Sequence, residues 1–246
     1  MEVNYLWREK NMDPVTVKSG AIRPFKCYSE GWALIKGQYW LFMGVCFVGS
    51  LIGGMAPMAV LMGPMMCGIY MCFMKRAEGK PAEFGTLFDG FSLFVESLIA
   101  SLIMIVPAIV LLIPAYIFTA LCIAFVVIPR SGEGQAPENA MLIPKILLAA
   151  SPMLVAIALI IAIYMFVFTF VYPLIADKKL KAVEAVKWSF KAGKANIGGL
   201  ILLFLTNVLV SLVGVLMCYV GAFFVMPLTF GAFFAAYKRV FGEGPV

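Results

Sequence analysis

One carboxylate, Glu96, lies clearly inside an apolar run, where an ionised group is costly and favours a functional interpretation. Such a residue could form a proton or cation site. The neighbouring hydroxyls and candidate lysine partners are Ser97, Ser101, Lys80 and Lys187. The alternative is structural, because Glu96 is close enough to the start of its run to reach the polar interface or to pair with a lysine. The sequence leaves both interpretations open.

A row of sulfur-containing side chains is the second set with ligand chemistry. Met55, Met58, Met62 and Met65 recur at helical spacing, and Cys72 continues the same face. Soft thioether and thiol ligands can bind Cu(I), whereas flexible methionines also suit a lipid groove or plain packing. Met58, Met62 and Met65 are therefore candidate ligand residues. We predict no metal site and no cofactor.

Groups for catalysis are scarce. The chain has no histidine, its six cysteines form no CxxC pair, and no two carboxylates share an apolar run. Acid–base and nucleophilic catalysis need such groups side by side. We therefore expect no enzymatic activity.

Membrane helices must position these residues, because apolar side chains dominate the chain. Of 246 residues, 63% are hydrophobic and 13% charged, and the mean hydropathy is +1.00. About 20 apolar residues in a helix span a bilayer. Four regions supply such runs, namely 39–74, 91–128, 146–175 and 197–237. Without the alternation typical of barrel strands, they predict an all-α multi-pass membrane bundle.

The uneven distribution of basic residues predicts which loops face the cytoplasm. Of nineteen lysines and arginines, only Arg130 and Lys145 lie outside four clusters, which are found at 8–36, 75–80, 178–194 and 238–239. The positive-inside rule makes these clusters cytoplasmic and residues 131–143 external. Both termini are then cytoplasmic, and the expected location is a bacterial-type inner membrane.

Loop parity predicts six transmembrane helices in one domain, residues 23–240, after a polar tail of residues 1–22. Its segments are an interfacial helix 24–36, a hairpin 39–76, a central pair 91–175, an interfacial helix 179–195 and a hairpin 197–237. The run 91–128 is assigned one crossing to about Ile113. Residues 114–128, which follow two prolines, are expected to form an external or re-entrant helix, although a further span stays open.

The two interfacial helices are amphipathic and are expected to lie in the headgroup plane. Trp32 is the interfacial ring of the first helix, and Trp188 that of the second. Lys187, Lys191 and Lys194 form a basic arc that would contact lipid headgroups. The expected partners are membrane lipids, chiefly anionic headgroups of the inner leaflet. No nucleic-acid partner is expected.

The two hairpins end in similar sequences. PMMCGIYMCFMKR at 64–76 and PLTFGAFFAAYKR at 227–239 share their proline, glycine, lysine and arginine at a constant offset of 163 residues. Since both units start and end on the same side, they predict a parallel internal repeat.

The stretch PLIADKKLKAVEAVKWSFKAGKANIGGLILLF resembles the C-terminal half of certain bacterial six-helix integral membrane proteins. These are loosely related to the membrane domain of glycerophosphodiester phosphodiesterases. The segment KPAEFGTLFDGF is similar to a linker of the same group. The resemblance implies a six-helix integral fold without an established activity. The soluble phosphodiesterase domain has no counterpart in these residues, so its chemistry is not carried over.

Two function classes follow. The first is a bundle that binds or moves an apolar or amphiphilic molecule, such as a lipid, between the basic interfacial helices and the Met-lined hairpin. The second is a non-transporting scaffold or assembly factor. A conduit would contain a continuous cavity lined by the first and fifth membrane helices, whereas a scaffold would be tightly filled and would expose an apolar face.

Overall fold

The computed structural model describes residues 15–55, 60–127, 139–163, 167–216 and 220–242, and it contains no strand within these ranges. The α-helices are α1 (Pro24–Ile35), α2 (Tyr39–Met55), α3 (Met62–Ala77), α4 (Phe94–Val127), α5 (Asn139–Ile163), α6 (Val171–Lys178), α7 (Ala182–Ala195), α8 (Ile197–Leu216) and α9 (Val220–Phe241). A 3₁₀ helix, Phe84–Leu93, precedes α4. The predicted all-α class is therefore confirmed for the described residues.

Candidate membrane spans are fewer than six in the part of the chain that is described. Three segments are long and apolar enough to cross a membrane, namely Phe84–Cys122, Ile197–Leu216 and Gly221–Phe241. A fourth would be the pair α1 and α2, if these two helices, bent by 105°, form one broken span. In the first hairpin, α2 has 17 residues and α3 has 16, both below the length of about 20 that a straight crossing needs.

Two expected boundaries in the middle of the chain differ from the structure. Helix α4 runs without interruption for 34 residues through Pro107 and Pro114, so no separate helix begins at residue 114. A proline removes one backbone hydrogen bond, and apolar helices commonly continue past it. Conversely, the single crossing expected over 146–175 is divided between α5 and α6.

The described chain divides into two compact units, residues 102–164 and the remainder. The smaller unit contains most of α4 and all of α5. Many of its large apolar side chains are exposed, including Val110 at 63% and Leu148 at 75%. Such a surface is typical of a lipid-facing helix or of a covered interface.

In the larger unit, aromatic side chains fill the core. Phe42, Phe73, Phe234 and Tyr237 are fully buried. The ring centroids of Phe42 and Phe73 lie 4.6 Å apart, and those of Phe73 and Phe234 lie 5.7 Å apart. These rings join α2, α3 and α9 into one packed bundle.

Helix α1 lies lengthwise against α9 and runs antiparallel to it. The Lys18 amide donates to the Val240 carbonyl over 3.0 Å, and the Tyr39 hydroxyl donates to the Phe224 carbonyl over 2.6 Å. Between these ends, a Cβ added to Gly31 would lie 2.6 Å from the carbonyl carbon of Gly231, so only glycine permits this approach. Helix α1 therefore packs along part of a candidate span, and its place in the headgroup plane stays a prediction.

The face of α1 that packs against the protein carries small and aliphatic residues. Its buried residues are Pro24, Cys27, Gly31, Leu34 and Ile35, while Trp32 is 49% exposed. The small residues at this face allow the close packing on α9. Trp32 stays on the outside, where its ring contacts Tyr39 at 5.9 Å.

Candidate functional site

The 3₁₀ helix builds one wall of the candidate site. With three residues per turn, side chains three apart line up on one face. Thr86, Asp89 and Ser92 share the first face, and the buried Leu87 and Gly90 share the second. The third face exposes aromatic rings, among them those of Phe88 and Phe91.

Glycines hold this 3₁₀ helix directly against α3. A Cβ added to Gly68 would overlap the carbonyl oxygen of Leu87, and one added to Gly90 would lie 2.6 Å from the amide nitrogen of Gly68. Two backbones can approach so closely only where side chains are missing. The polar face of the 3₁₀ helix is thereby placed beside the end of α3.

An open cleft of about 410 Å³ lies between α3, the 3₁₀ helix and the end of α6. Its lining combines thioethers with hydroxyls and with charges of both signs. The lining residues are Met71, Met74, Lys75, Glu78, Lys80, Thr86, Asp89, Ser92, Ala176 and Lys179.

Two of the cleft lysines have partners. The Lys75 ammonium donates to the Thr86 hydroxyl over 2.8 Å and lies 3.7 Å from an Asp89 carboxylate oxygen. The Lys80 ammonium donates to Glu78 over 2.8 Å, and this hydrogen bond lowers the pKa of the Glu78 carboxyl below its usual value. All four charged side chains keep at least 40% of their surface exposed, so these pairs can exchange partners with a ligand.

The third lysine, Lys179, has unusual backbone geometry. It caps the C-terminus of α6 with φ of 53°, and it is the single non-glycine residue with positive φ in the described chain. This left-handed conformation costs a side-chain-bearing residue about 1 kcal/mol. No carboxylate lies within 4.0 Å of its ammonium among the described residues. Lys179 therefore adds an unneutralised positive charge to the cleft.

Glu96 lies outside this cleft and caps another helix. The amide of Ala182, the first residue of α7, donates to the Glu96 carboxylate over 2.8 Å. Helix N-termini leave such amides without intrahelical partners, and a carboxylate also complements the helix dipole. Neither expected lysine partner, Lys80 or Lys187, forms an ion pair with Glu96 in the described chain. Its contact is structural.

The two serines beside Glu96 have other partners. Ser97 and Ser101 are fully buried, and the Ser101 hydroxyl donates to the Ser97 carbonyl over 2.9 Å. The hydroxyls of Ser101 and Tyr172 are 3.0 Å apart. These contacts join α4 to α6.

The predicted methionine face is not a single exposed surface. Met65 is fully buried in the core, Met62 is half-buried and Met55 is 76% exposed. Met58 lies outside the described residues. Within those residues, no group of three or more His, Cys, Asp or Glu side chains could hold a metal ion. The thioethers that line the cleft are instead those of Met71 and Met74.

The second amphipathic segment forms α7, with its basic arc exposed. Lys187, Lys191 and Lys194 are all exposed, and Trp188 is half-buried. The ammonium of Lys191 lies 4.8 Å from the Trp188 ring centroid, and that of Lys194 lies 4.7 Å from the Phe190 ring. These rings and ammonium groups form a mixed aromatic and basic surface.

Small residues on α7 face the protein. Ala185, Ser189 and Ala192 are fully buried, and the Ser189 hydroxyl accepts a hydrogen bond from the Phe170 amide over 3.1 Å. Val183 is 52% exposed at the edge between this face and the lysines. The contact of α7 with the rest of the protein therefore uses a face of small residues.

The lysine–arginine pairs at the two hairpin ends make parallel contacts. Arg239 forms a bidentate ion pair with Glu30 of α1, and the two side chains are each only 15% exposed. The Arg76 guanidinium donates to the Leu34 carbonyl of the same helix over 3.0 Å. The preceding lysines lie near aspartates, Lys75 near Asp89 and Lys238 3.9 Å from Asp177.

The sequence carried a signal for the cleft that hydropathy does not detect. In FGTLFDGFSL the polar residues recur every three positions, the period of a 3₁₀ helix. No comparable sequence pattern marks Lys179, because its place in the cleft depends on where α6 ends.

No family model, curated protein or solved structure matches this chain.

Proposed function

We propose that this chain is an integral membrane protein that binds an amphiphile, such as a lipid, by its headgroup. The observation that carries the proposal is the charged cleft next to an exposed aromatic face of the same 3₁₀ helix. Lys75, Lys179 and Asp89 provide charge for a headgroup, whereas Phe88 and Phe91 provide an apolar surface beside it. A ligand with both a polar and an apolar part matches this juxtaposition.

In the proposed orientation, the cleft faces the cytoplasm. Basic residues from three clusters that are distant in sequence support this orientation. Lys75, Lys80 and Lys179 line one cleft. Lys238 lies beside Asp177, which precedes Lys179 by two residues. The positive-inside rule places such residues at the cytoplasmic surface. The proposal includes a bacterial-type inner membrane, cytoplasmic termini, and the finer assignment of six crossings with a parallel repeat. The relation to the phosphodiesterase membrane domain is likewise a proposal.

The proposed activity is binding without chemistry and without conduction. A conduit would contain a cavity lined by the first and fifth membrane helices, which correspond to α2 and α8. The cleft draws its lining from neither helix. The junction of α2 with α3 and α9 is filled by Phe42, Phe73 and Phe234.

The test uses calorimetry to measure the binding of short-chain phospholipids to the full chain in detergent. Lys75→Gln should weaken binding roughly tenfold, because a charge-assisted contact is lost. Lys178→Gln is the matched control, since this exposed lysine lies outside the cleft lining and outside the basic arc of α7, and it should leave the affinity unchanged. Equal loss in both variants, or no binding by the unmodified protein, would contradict the proposal.

A scaffold remains the second candidate, and the outer surface of α8 favours it. Leu205, Leu209 and Leu216 are at least 55% exposed, and so is Val213. Lipid or a partner helix can cover such a face. A scaffold predicts that Leu205→Ala with Leu209→Ala abolishes a stoichiometric protein complex while headgroup binding is unaffected.

A further inference from the structure

We infer that the cleft selects a phospholipid headgroup that carries both a phosphate and an ammonium group with N–H donors. The inference rests on the proposed function and names the ligand class for the same site. It follows from the two signs of charge in the cleft, from the chemistry of the carboxylates and from the residue types that line it.

Charges of both signs face one small volume. The ammonium groups of Lys75 and Lys179 can neutralise a phosphate, whereas the carboxylates of Asp89 and Glu78 can neutralise an ammonium. A purely anionic headgroup would bring its charge close to both carboxylates, and a purely cationic one would face the lysines. Like charges at such distances repel. A zwitterion avoids both penalties.

The acidic side chains are available to a ligand. Asp89 is 60% exposed at its side chain and Glu78 is 58% exposed. Lys75 keeps its hydrogen bond to Thr86 at 2.8 Å even when Asp89 turns to another partner, because the Asp89 contact is the longer one, at 3.7 Å. A ligand ammonium can therefore replace Lys75 as the partner of Asp89 without leaving Lys75 unbonded.

The lining favours a primary ammonium over a quaternary one. Proteins hold quaternary ammonium groups mainly with aromatic cages. The described lining of the cleft includes no aromatic ring, since Met71, Met74 and Ala176 are its apolar members. Carboxylates, by contrast, accept strong hydrogen bonds from ammonium N–H groups, which choline lacks. An ethanolamine-type headgroup satisfies this chemistry.

The acyl chains of such a lipid have an adjacent surface. Phe88 and Phe91 are each about 40% exposed on the 3₁₀ helix whose other face lines the cleft. Rings at this position can pack on hydrocarbon while the headgroup occupies the charged volume. The same short helix thus separates the polar and apolar parts of the ligand.

The experiment compares dihexanoyl phosphatidylethanolamine, phosphatidylcholine and phosphatidylglycerol for binding to the full chain in detergent. Phosphoethanolamine and inorganic phosphate serve as probes of the headgroup without acyl chains. We expect phosphatidylethanolamine to bind roughly tenfold more tightly than the other two lipids, since they lose its charge-assisted hydrogen bonds. Both chain-free probes should bind more weakly than the lipid.

Variants separate the two halves of the headgroup. Asp89→Asn should reduce the ratio of the affinities for phosphatidylethanolamine and phosphatidylcholine to about one. Glu78→Gln should reduce the same ratio in part. Lys179→Gln should weaken all three phospholipids alike, while Lys178→Gln, an exposed neighbour outside the cleft lining, should change nothing. Glu78 and Lys179 are surface residues, so these variants remain informative if Asp89→Asn fails to fold.

Each outcome has a distinct meaning. Equal or tighter binding of phosphatidylglycerol, with no effect of Asp89→Asn or Glu78→Gln, would overturn the ethanolamine assignment and leave amphiphile binding intact. Equal binding of phosphoethanolamine and the lipid would overturn the lipid source of the headgroup. Failure of all three lipids to bind would overturn the proposed function itself.

Discussion

At the scale of single residues, capping explains Glu96 better than ion coupling does. Its carboxylate accepts the first amide of α7 and thereby ties two helices that are distant in sequence. A polar group inside an apolar run is costly unless it has a partner, and the Ala182 amide supplies one. The unusual position of this carboxylate is thus accounted for by local helix geometry.

Replacement of Glu96 by leucine should lower the free energy of unfolding by about 1 kcal/mol, because the Ala182 amide loses its acceptor. Glu96→Gln, which retains an acceptor oxygen, should cost less. Thermal unfolding in detergent measures both, with the exposed Glu184→Gln as the control. A Gln variant of normal stability that loses a pH- or cation-dependent signal would instead make Glu96 a functional site.

The ion pair of Glu30 and Arg239 gives a second prediction at this scale. Glu30→Ala should destabilise the protein by about 3 kcal/mol, because it leaves a guanidinium that is only 15% exposed without its partner. The double variant Glu30→Leu with Arg239→Met should recover much of this loss. If the single variant were as stable as the unmodified protein in chemical denaturation, the pair would contribute little.

At the scale of elements, the 3₁₀ helix is the part of the fold that shapes the cleft. Its three-residue period aligns Thr86 with Asp89 and Ser92, and its glycine contact with α3 fixes where that row lies. In an α-helix the same residues would be offset by about 60° at each step and would spread over an arc of about 120°.

Gly68→Ala should therefore destabilise the fold by about 1–3 kcal/mol, as overpacking does, and should weaken lipid binding. A Cβ at this position overlaps Leu87. Gly85→Ala, in the same 3₁₀ helix, is the matched control, since nothing lies within 4 Å of its added Cβ. Equal melting temperatures for the two variants would show that the helices separate easily.

The basic arc of α7 is expected to bind the membrane surface. Replacement of Lys187, Lys191 and Lys194 by glutamate should move α7 away from the headgroups of an anionic bilayer. Each lysine contributes about 1 kcal/mol to binding near such a surface. Depth-dependent quenching of Trp188 fluorescence in anionic and neutral bilayers measures its position. Unchanged quenching in the triple variant would show that the lysines do not hold α7 at the headgroups.

At the scale of the whole molecule, the property to measure is the side of the membrane on which each polar segment lies. Cysteines introduced at Gly134 and Lys178 should react with an impermeant maleimide from opposite sides of the membrane, because residues 131–143 contain no lysine or arginine. Lys178 is exposed and outside the cleft lining, so its replacement leaves the site intact. Labelling of both positions from outside would exclude the proposed topology.

Hydropathy and helical period are local properties, and the all-helical class that they predict agrees with the described structure. The count of membrane crossings is not settled by these properties, since only three described segments, or four with the bent pair, are long and apolar enough to span a membrane. Helix continuity was less predictable, because a proline ends some helices and only bends others. The path of α4 through Pro114 depends on its surroundings.

The cleft depends on contacts between segments that lie far apart in the chain. Lys75 and Lys179 lie on different helices, and Asp89 joins them because Gly68 admits the 3₁₀ helix against α3. The close contact of α1 with α9 and the capping role of Glu96 arise in the same way, from backbone approach and from a free amide on another helix. Residue types indicate which groups can carry charge or accept a hydrogen bond, whereas packing selects the groups that meet.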